Sequence, residues 1–564
     1  MDSIPIPSRR RVGPGAYLTF LAAFAAIVVV LHLPYLDLPY FWDELGQFVP
    51  AALDIARRGA WVPHSTLPNV HPPAVMAYLA LAWRVAGISI PATRVAMLLV
   101  ASTGVLFVFL LAIELCRSIE GAPAFPVVAL LLASPLFYTQ SMLAQLDMPA
   151  MTLTALALLL FLQRKYRAAA AASTLLVLVK ETGLVAPGVF LLWLLLRERR
   201  RREALYFVVP FAVLALWLVI LRQTTGHWLG NDAFAEYNVF YSLNPVRAAC
   251  ALLRRLYYLL VAEGRWIGTA AIFLAWRKMR MYATPQWTLT AAVASAHILT
   301  VSLFGGATLE RYLLPVLPLF YAAAAAGWSL YSSRWRRVSV LASLACLLAG
   351  FFWGPPWPWP LENNLAMIDF VQTQQVAANF LDEHMPRRRV ASAWPFTQAL
   401  SDPVFGYVMH RFRTVNTTDF RVSRVAAIPP GSVDALVIYS RTGEPAWSLT
   451  RFSPVAAFLR RYYDYEPQIR PDRVRRLGYV PAARWRQGAQ WIDLYVNPAW
   501  RNSSPAPAEG ERVLQDSPAR PDGISNPAGL AWWRRNPAPA PGRRPDATRV
   551  AHADTLAPIA SGRR

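Results

Sequence analysis

The sequence predicts an α-helical polytopic membrane protein of about eleven spans, followed by a small α/β domain and a disordered tail. Three observations predict it. The chain has 564 residues, of which 55% are hydrophobic and only 16% charged, whereas a soluble domain carries about 25% charged residues. Apolar runs recur from residue 17 to residue 352 at lengths near that of a bilayer crossing. Between them lie short arginine clusters that fall on one side once the runs are threaded back and forth. This distribution also disposes of nucleic acid as a partner: the net charge of +23 is dispersed among membrane loops rather than gathered on one surface.

The first run, 17–36, follows Arg9, Arg10 and Arg11 and ends at Pro34, Tyr35 and Asp37 without a small-residue cleavage site. It reads as an uncleaved anchor with a cytoplasmic N-terminus. Further runs lie at 94–115, 125–142, 148–162, 168–179, 183–196, 205–221, 266–276, 287–304, 312–330 and 338–352. The pair 168–179 and 183–196 is separated by Lys180 and Glu181, which would be costly in hydrocarbon. Splitting the helix there places both charges at the outer surface. It also puts 164–167, 197–202, 277–280 and 334–337 inside with Arg9–Arg11. Merging the two runs would flip every later loop.

Parity then leaves the loop 37–93, the turns at 145–147, 180–181 and 305–311, the loop 222–265 and everything beyond residue 353 outside. Within the first loop, 43–58 and 74–86 read as amphipathic helices lying on the membrane surface. From 362 to 498 the pattern becomes mixed, with a helix at 368–384 and strands at 389–393, 435–439 and 491–496. The expected organisation is a cytoplasmic N-terminus (1–16), a transmembrane domain (17–353), an extracytoplasmic α/β domain (362–498) and a Pro- and Arg-rich disordered tail (499–564). Cys116, Cys250 and Cys346 show neither disulfide nor metal spacing.

The candidate chemistry lies in the outer turns. Asp43 and Glu44, in Phe41-Trp42-Asp43-Glu44, can cap the following helix, or can place a general base where a lipid-borne substrate would arrive. Asp147, ahead of Pro149, fits a helix N-cap. Lys180 is one of three lysines and the only one in an outer turn, where it can pair with an acid or hold a phosphate. Arg311, beside Glu310 and Tyr312, suits bidentate phosphate binding. His71 in His71-Pro72-Pro73 reads as a substrate contact or a structural residue. His64, His71 and Glu44 supply metal-binding groups at no standard ligand spacing, so no cofactor is assigned and a divalent metal stays open. Trp228, Asp232, Glu236 and Tyr237 can line an acceptor groove.

Taken in order, these motifs resemble the GT-C superfamily of membrane glycosyltransferases, on the branch of the protein O-mannosyltransferases and lipid A aminoarabinose transferases. The resemblance rests on Phe41-Trp42-Asp43-Glu44, His71-Pro72-Pro73, Thr93-Arg94, Gln145-Leu146-Asp147-Met148-Pro149, Lys180-Glu181-Thr182-Gly183 and Arg311-Tyr312-Leu313-Leu314-Pro315. It implies a polyprenyl-phosphate sugar donor, a lipid, glycan or protein acceptor, and a bacterial inner-membrane location with the active site outside. It also implies inverting transfer with Asp43 as base, Lys180 and Arg311 on the phosphate, and Glu44 and Asp147 orienting hydroxyls. His71 stands where relatives often have lysine, and the β-trefoil insertion of the protein mannosyltransferases is missing. The rival readings are a lipid transporter or flippase, and a membrane anchor for the 362–498 domain. The gathering of acids in outer loops and the lack of repeated halves disfavour transport.

Overall fold

The computed structural model describes residues 13–117, 119, 124–279, 281–353, 362–429, 431–441 and 452–498. The leading arginines and the tail expected from 499 onward lie outside the described residues. The helices follow the apolar pattern closely. They begin with α1 (Pro14–His32), α2 (Val49–Arg58), α3 (Ala74–Ala86), α4 (Ile90–Leu115), α5 (Ala124–Leu132) and α6 (Pro135–Met142). Then come α7 (Asp147–Leu162), α8 (Tyr166–Val179), α9 (Val185–Leu192), α10 (Arg201–Ala204), α11 (Val209–Thr225), α12 (Asp232–Ala235) and α13 (Pro245–Leu260). The helical part closes with α14 (Trp266–Met279), α15 (Pro285–Leu303), α16 (Leu317–Trp328) and α17 (Ser333–Gly350).

Among the described residues, three helical stretches are long and apolar enough to cross a membrane: Gly15–Tyr35, Ile90–Leu115 and Arg201–Thr225. The pair α5 and α6 adds a fourth if it is one span, although it bends by 67°. The bend has a local cause: Pro135 lacks an N–H and forces Ser134 into an extended conformation. Helices stand at the other expected spans, but the count of about eleven exceeds what their length and composition support. Thus α7 and α8, at 16 and 14 residues, reach about 24 and 21 Å at ~1.5 Å per residue, short of the ~30 Å hydrocarbon core. The expected break at Lys180 is present, with that residue extended between α8 and a short 3₁₀ turn.

The burial of the long helices divides them by environment. Only 17% of the apolar window of Gly15–Tyr35 is buried, against 67% for Ile90–Leu115. The former therefore turns apolar side chains outward, as a lipid-facing helix must, and α4 is the centre of the bundle. Around α4 pack α1, α5 and α7.

The expected surface helix 43–58 begins with a wide π-type turn, Glu44–Phe48, before α2, because Pro50 suits only a first helical turn. The helix α3 spans the residues expected of it. The turn that opens the first of these is tied down by a buried pair. The Arg94 guanidinium on α4 and the Glu44 carboxylate are each fully buried, 2.5 Å apart. Glu44 also accepts the backbone N–H groups of Phe41 (2.8 Å) and Ala144 (2.6 Å). The Arg94 Nη1 and Nη2 groups also donate to the carbonyls of Leu38, Pro39 and Met142. One ion pair thus staples the first outer loop to α4 and to the turn between α6 and α7.

Beyond the helical part, α18 (Ala366–His384) leads into β1 (Arg389–Ala393), β2 (Arg413–Thr417), β3 (Ala435–Tyr439), β4 (Val480–Gln487) and β5 (Gln490–Val496). The sheet order is β2-β1-β3-β5-β4, with β1 parallel to both neighbours and β5 antiparallel to both of its own. The central β3, Ala-Leu-Val-Ile-Tyr, is buried along its whole length. The strands β2 and β4 went unexpected, since both are edge strands with exposed polar or basic positions.

Cutting either side of the staple leaves a buried charge alone. Glu44→Gln or Arg94→Met is expected to cost about 3–5 kcal/mol, read as a large drop in unfolding temperature in lipid nanodiscs. The double variant should recover part of the loss.

Candidate functional site

Three segments converge on one guanidinium. Arg311, in the 3₁₀ turn Glu310–Leu313, is 5% exposed and bonds four side chains from three segments. Its Nη2 donates to Asp43, from the first loop. Its Nη1 donates to Gln145 Oε1 at 2.6 Å and to Glu362 Oε2 at 2.7 Å. Its Nε lies 3.2 Å from Asp147 Oδ2 at the start of α7. The other Asp147 oxygen accepts from Lys180 Nζ at 2.5 Å.

Neither acid caps its helix. Asp43 precedes the wide turn and Asp147 opens α7, but neither side chain bonds a helix N–H. Both are committed to cations instead. Lys180 pairs with Asp147 and not with its neighbour Glu181. The three carboxylates Asp43, Asp147 and Glu362 face two cations, Arg311 and Lys180, so 2 − 3 leaves one negative charge in excess when all are ionised. Glu362 carries the strain: burial pushes its pKa up to about 7, Arg311 opposing and Asp43, Asp147 and Glu310 adding to the rise. Its Oε1 is buried without a hydrogen-bond partner.

Exposure separates the acids. The Asp43 side chain is 17% exposed, against 4% for Asp147 and 6% for Glu362. Asp43 is therefore the acid of this cluster most open to an arriving substrate. It owes its direction to Trp42, a non-glycine residue in the left-handed region at φ 45°, which costs about 1–3 kcal/mol and persists only where the surroundings enforce it. That turn sends the adjacent carboxylates apart, Asp43 to Arg311 and Glu44 to Arg94.

Tyr312 gathers cations around its ring. Lys180 Nζ lies 4.2 Å from the ring centroid, Arg311 Cζ 5.6 Å and Arg255 Cζ 5.8 Å. The Tyr312 carbonyl is held by His297 Nε2 at 2.8 Å. Arg255, on α13, is buried, and all three of its nitrogens lack hydrogen-bond partners. Burial lowers its pKa to about 10, with Tyr312 and Glu310 opposing. Its neighbour Arg254 is engaged with Glu310 at 2.6 Å and Thr308 at 3.1 Å. A buried guanidinium without a partner is costly unless an anion meets it.

His71 stands apart from the Arg311 cluster. Its Nδ1 lies 2.8 Å from Glu181 Oε2, and it borders a small cleft shared with Phe48, Trp61, Asn69 and Trp217. Of the groove residues expected in the fourth outer loop, Tyr237 faces the cluster: burial raises its pKa to about 12, with Tyr312, Tyr241 and Asp43 adding to it. Asp232 pairs instead with His227 at 2.7 Å, and Trp228 is exposed. Among the described residues, no group of three or more His, Cys, Asp or Glu side chains is placed to hold a metal ion. The acids at the centre surround a guanidinium.

Sequence reasoning brought Asp43, Asp147, Lys180, Arg311 and Tyr312 forward, and all five meet here. It missed Arg255 and Glu362, and gave no role to Gln145. Arg255 carried one signal, a basic pair inside the otherwise amphipathic α13. Glu362 carried none.

Ionised Glu362 is disfavoured in the folded protein, so it contributes to stability most below its ordinary value near 4.5. That contribution is lost as the pH rises towards about 7, because the native state holds the proton over this window. Unfolding temperature should therefore fall from pH 5 to pH 8, and Glu362→Gln should flatten the decline.

No family model and no curated protein matches the chain. Solved structures do. ArnT from Cupriavidus metallidurans bound to undecaprenyl phosphate is 16% identical, with a TM-score of 0.52 over 86% of this chain and 98% of that one. The apo form of the same protein is 17% identical, with a TM-score of 0.51 over 85% and 98%. The oligosaccharyltransferase AglB from Archaeoglobus fulgidus, in complex with an inhibitory peptide and a dolichol-phosphate, is 12% identical, with a TM-score of 0.48 over 86% and 74%. The chain therefore shares its fold with ArnT, over nearly the whole length of that protein.

Proposed function

We propose that the chain is an integral membrane glycosyltransferase that moves a sugar from a polyprenyl-phosphate donor to a lipid, glycan or protein acceptor at the outer face of the cell membrane. One observation carries this reading above the rest: a partly open carboxylate, Asp43, is bound to Arg311, and a buried guanidinium without a hydrogen-bond partner, Arg255, lies 5.8 Å from the ring of the next residue, Tyr312. Transfer by single displacement needs both halves, a base for the acceptor and a cation for the leaving phosphate. The shared fold with a protein bound to undecaprenyl phosphate supports the donor class.

In this reading the acceptor hydroxyl gives its proton to Asp43 while its oxygen attacks the anomeric carbon. The bond from that carbon to the phosphate oxygen breaks, and polyprenyl phosphate leaves with inversion at the sugar. Arg255 takes the phosphate charge, because it alone among the cations at Tyr312 has no hydrogen-bond partner. Lys180 and Arg311 act from their places on the acids, Lys180 adding field and Arg311 orienting Asp43. Asp147 holds Lys180 and Arg311 in register. Glu44, bound on both oxygens to Arg94 and backbone, positions the loop and does not reach substrate.

The test is transfer by purified protein in lipid, with a panel of labelled polyprenyl-phosphate sugars and membrane extract as acceptor. Asp43→Asn should lower turnover by at least 10³-fold while leaving the fold intact. Arg255→Gln removes a charged contact of about 1.5–3 kcal/mol, so kcat/KM should fall about 10- to 100-fold. Equal transfer by wild type and Asp43→Asn refutes the assignment of the base. No transfer with any donor, together with movement of labelled lipid across the bilayer, refutes the enzyme reading.

A further inference from the structure

The α/β domain touches the segment that carries Asp43 at several points. Trp394, just after β1, meets Trp42 edge-on with ring centroids 5.0 Å apart. Phe370 on α18 packs against both Phe41 and Trp42, each at 5.9 Å. The contact with Gly46 is so close that an added Cβ would lie 2.8 Å from Trp394 Nε1. One residue earlier in the segment, Tyr40 is held by the same domain: its carbonyl accepts from Tyr407 at 2.8 Å. The two rings on Trp42 are in turn fixed from the sheet. Tyr439, on the buried β3, donates to the Trp394 carbonyl at 2.7 Å and packs edge-on against Phe370 at 5.7 Å.

These contacts fall on a residue that needs them. Trp42 is left-handed at φ 45°, a conformation that a bulky side chain keeps only under outside constraint. The next residue is Asp43, whose carboxylate must reach Arg311. The Glu44–Arg94 staple fixes the far side of the same turn, but it does not touch the Trp42 ring.

We propose that Trp394 is a positioning residue: with Phe370 it clamps Trp42 in its left-handed turn, so that the α/β domain sets the direction of Asp43. The domain is then a working part of the catalytic centre as well as a platform beside it. This inference rests on Asp43 being the base, as proposed above.

The test uses the full chain in nanodiscs, with hydrogen exchange of the 40–46 segment and sugar transfer measured on the same samples. Trp394→Ala should speed exchange of that segment at least tenfold. At saturating donor it should lower kcat at least tenfold, with little change in donor KM. Trp394→Phe, which keeps an aromatic face, should restore most of both. Unchanged exchange in Trp394→Ala overturns the proposal, as does faster exchange with wild-type kcat. A wild-type protein that transfers no sugar defeats the parent reading separately, and the clamp is then judged by the exchange data alone.

Discussion

Everything at the site depends on how one buried guanidinium is shared. Arg311 must be compensated, since an isolated charge that deep in the protein is prohibitively costly. Its compensation comes from Asp43, Asp147 and Glu362, which lie on three segments far apart in sequence. The first loop, the start of α7, the Arg311 turn and the approach to α18 are therefore obliged to meet at one point. The acids outnumber the cations they meet by one, and burial, with the neighbouring acids adding to it, raises the pKa of Glu362. Arg255 complements that excess: a buried cation without a hydrogen-bond partner, 5.8 Å from the Tyr312 ring. An anionic phosphate arriving at Arg255 would find the acids already occupied by Arg311 and Lys180, and so would not be repelled as three free carboxylates would repel it.

A second constraint supports the first. Adjacent residues Asp43 and Glu44 have opposite duties, and the chain separates them by a left-handed turn at Trp42. Glu44 is consumed in the staple to Arg94 and holds the loop, while Asp43 is left partly open. If Asp43 is the base, as proposed, rigidity beside it is what the site gains from this division, because a displaced base loses rate steeply. The sheet domain closes this arrangement from outside through Trp394, Phe370 and Tyr407.

Much of this was legible in the sequence, for identifiable reasons. Apolar periodicity and charged loops located α3, α4, α7 and α8 nearly to the residue, and the cost of Lys180 in hydrocarbon predicted the break there. The ordered motifs drew attention to Asp43, Asp147, Lys180 and Arg311. What the sequence could not disclose was partnership. Asp147 and Lys180 both read plausibly as local features, a cap and a neighbour pair, and only the packing of α7 beside α8 joins them. Glu362 and Arg255 belong to segments whose local pattern says nothing of Arg311 or Tyr312. The strands β2 and β4 were hidden because edge strands carry polar residues, so alternation is blurred. Length and composition support three or four of the expected spans among the described residues, because several apolar runs form helices too short for the full hydrocarbon thickness.

The central claim is that the phosphate of a polyprenyl carrier seats against Arg255 beside the Tyr312 ring, with Asp43 kept on Arg311. The most direct measurement is a cryo-electron microscopy structure of the full chain in nanodiscs with undecaprenyl phosphate added. The account predicts phosphate density within hydrogen-bonding distance of Arg255, close to Lys180, and an unchanged contact between Asp43 and Arg311. Phosphate bound away from Tyr312, or Arg255 turned to a protein carboxylate while the phosphate sits elsewhere, would contradict it.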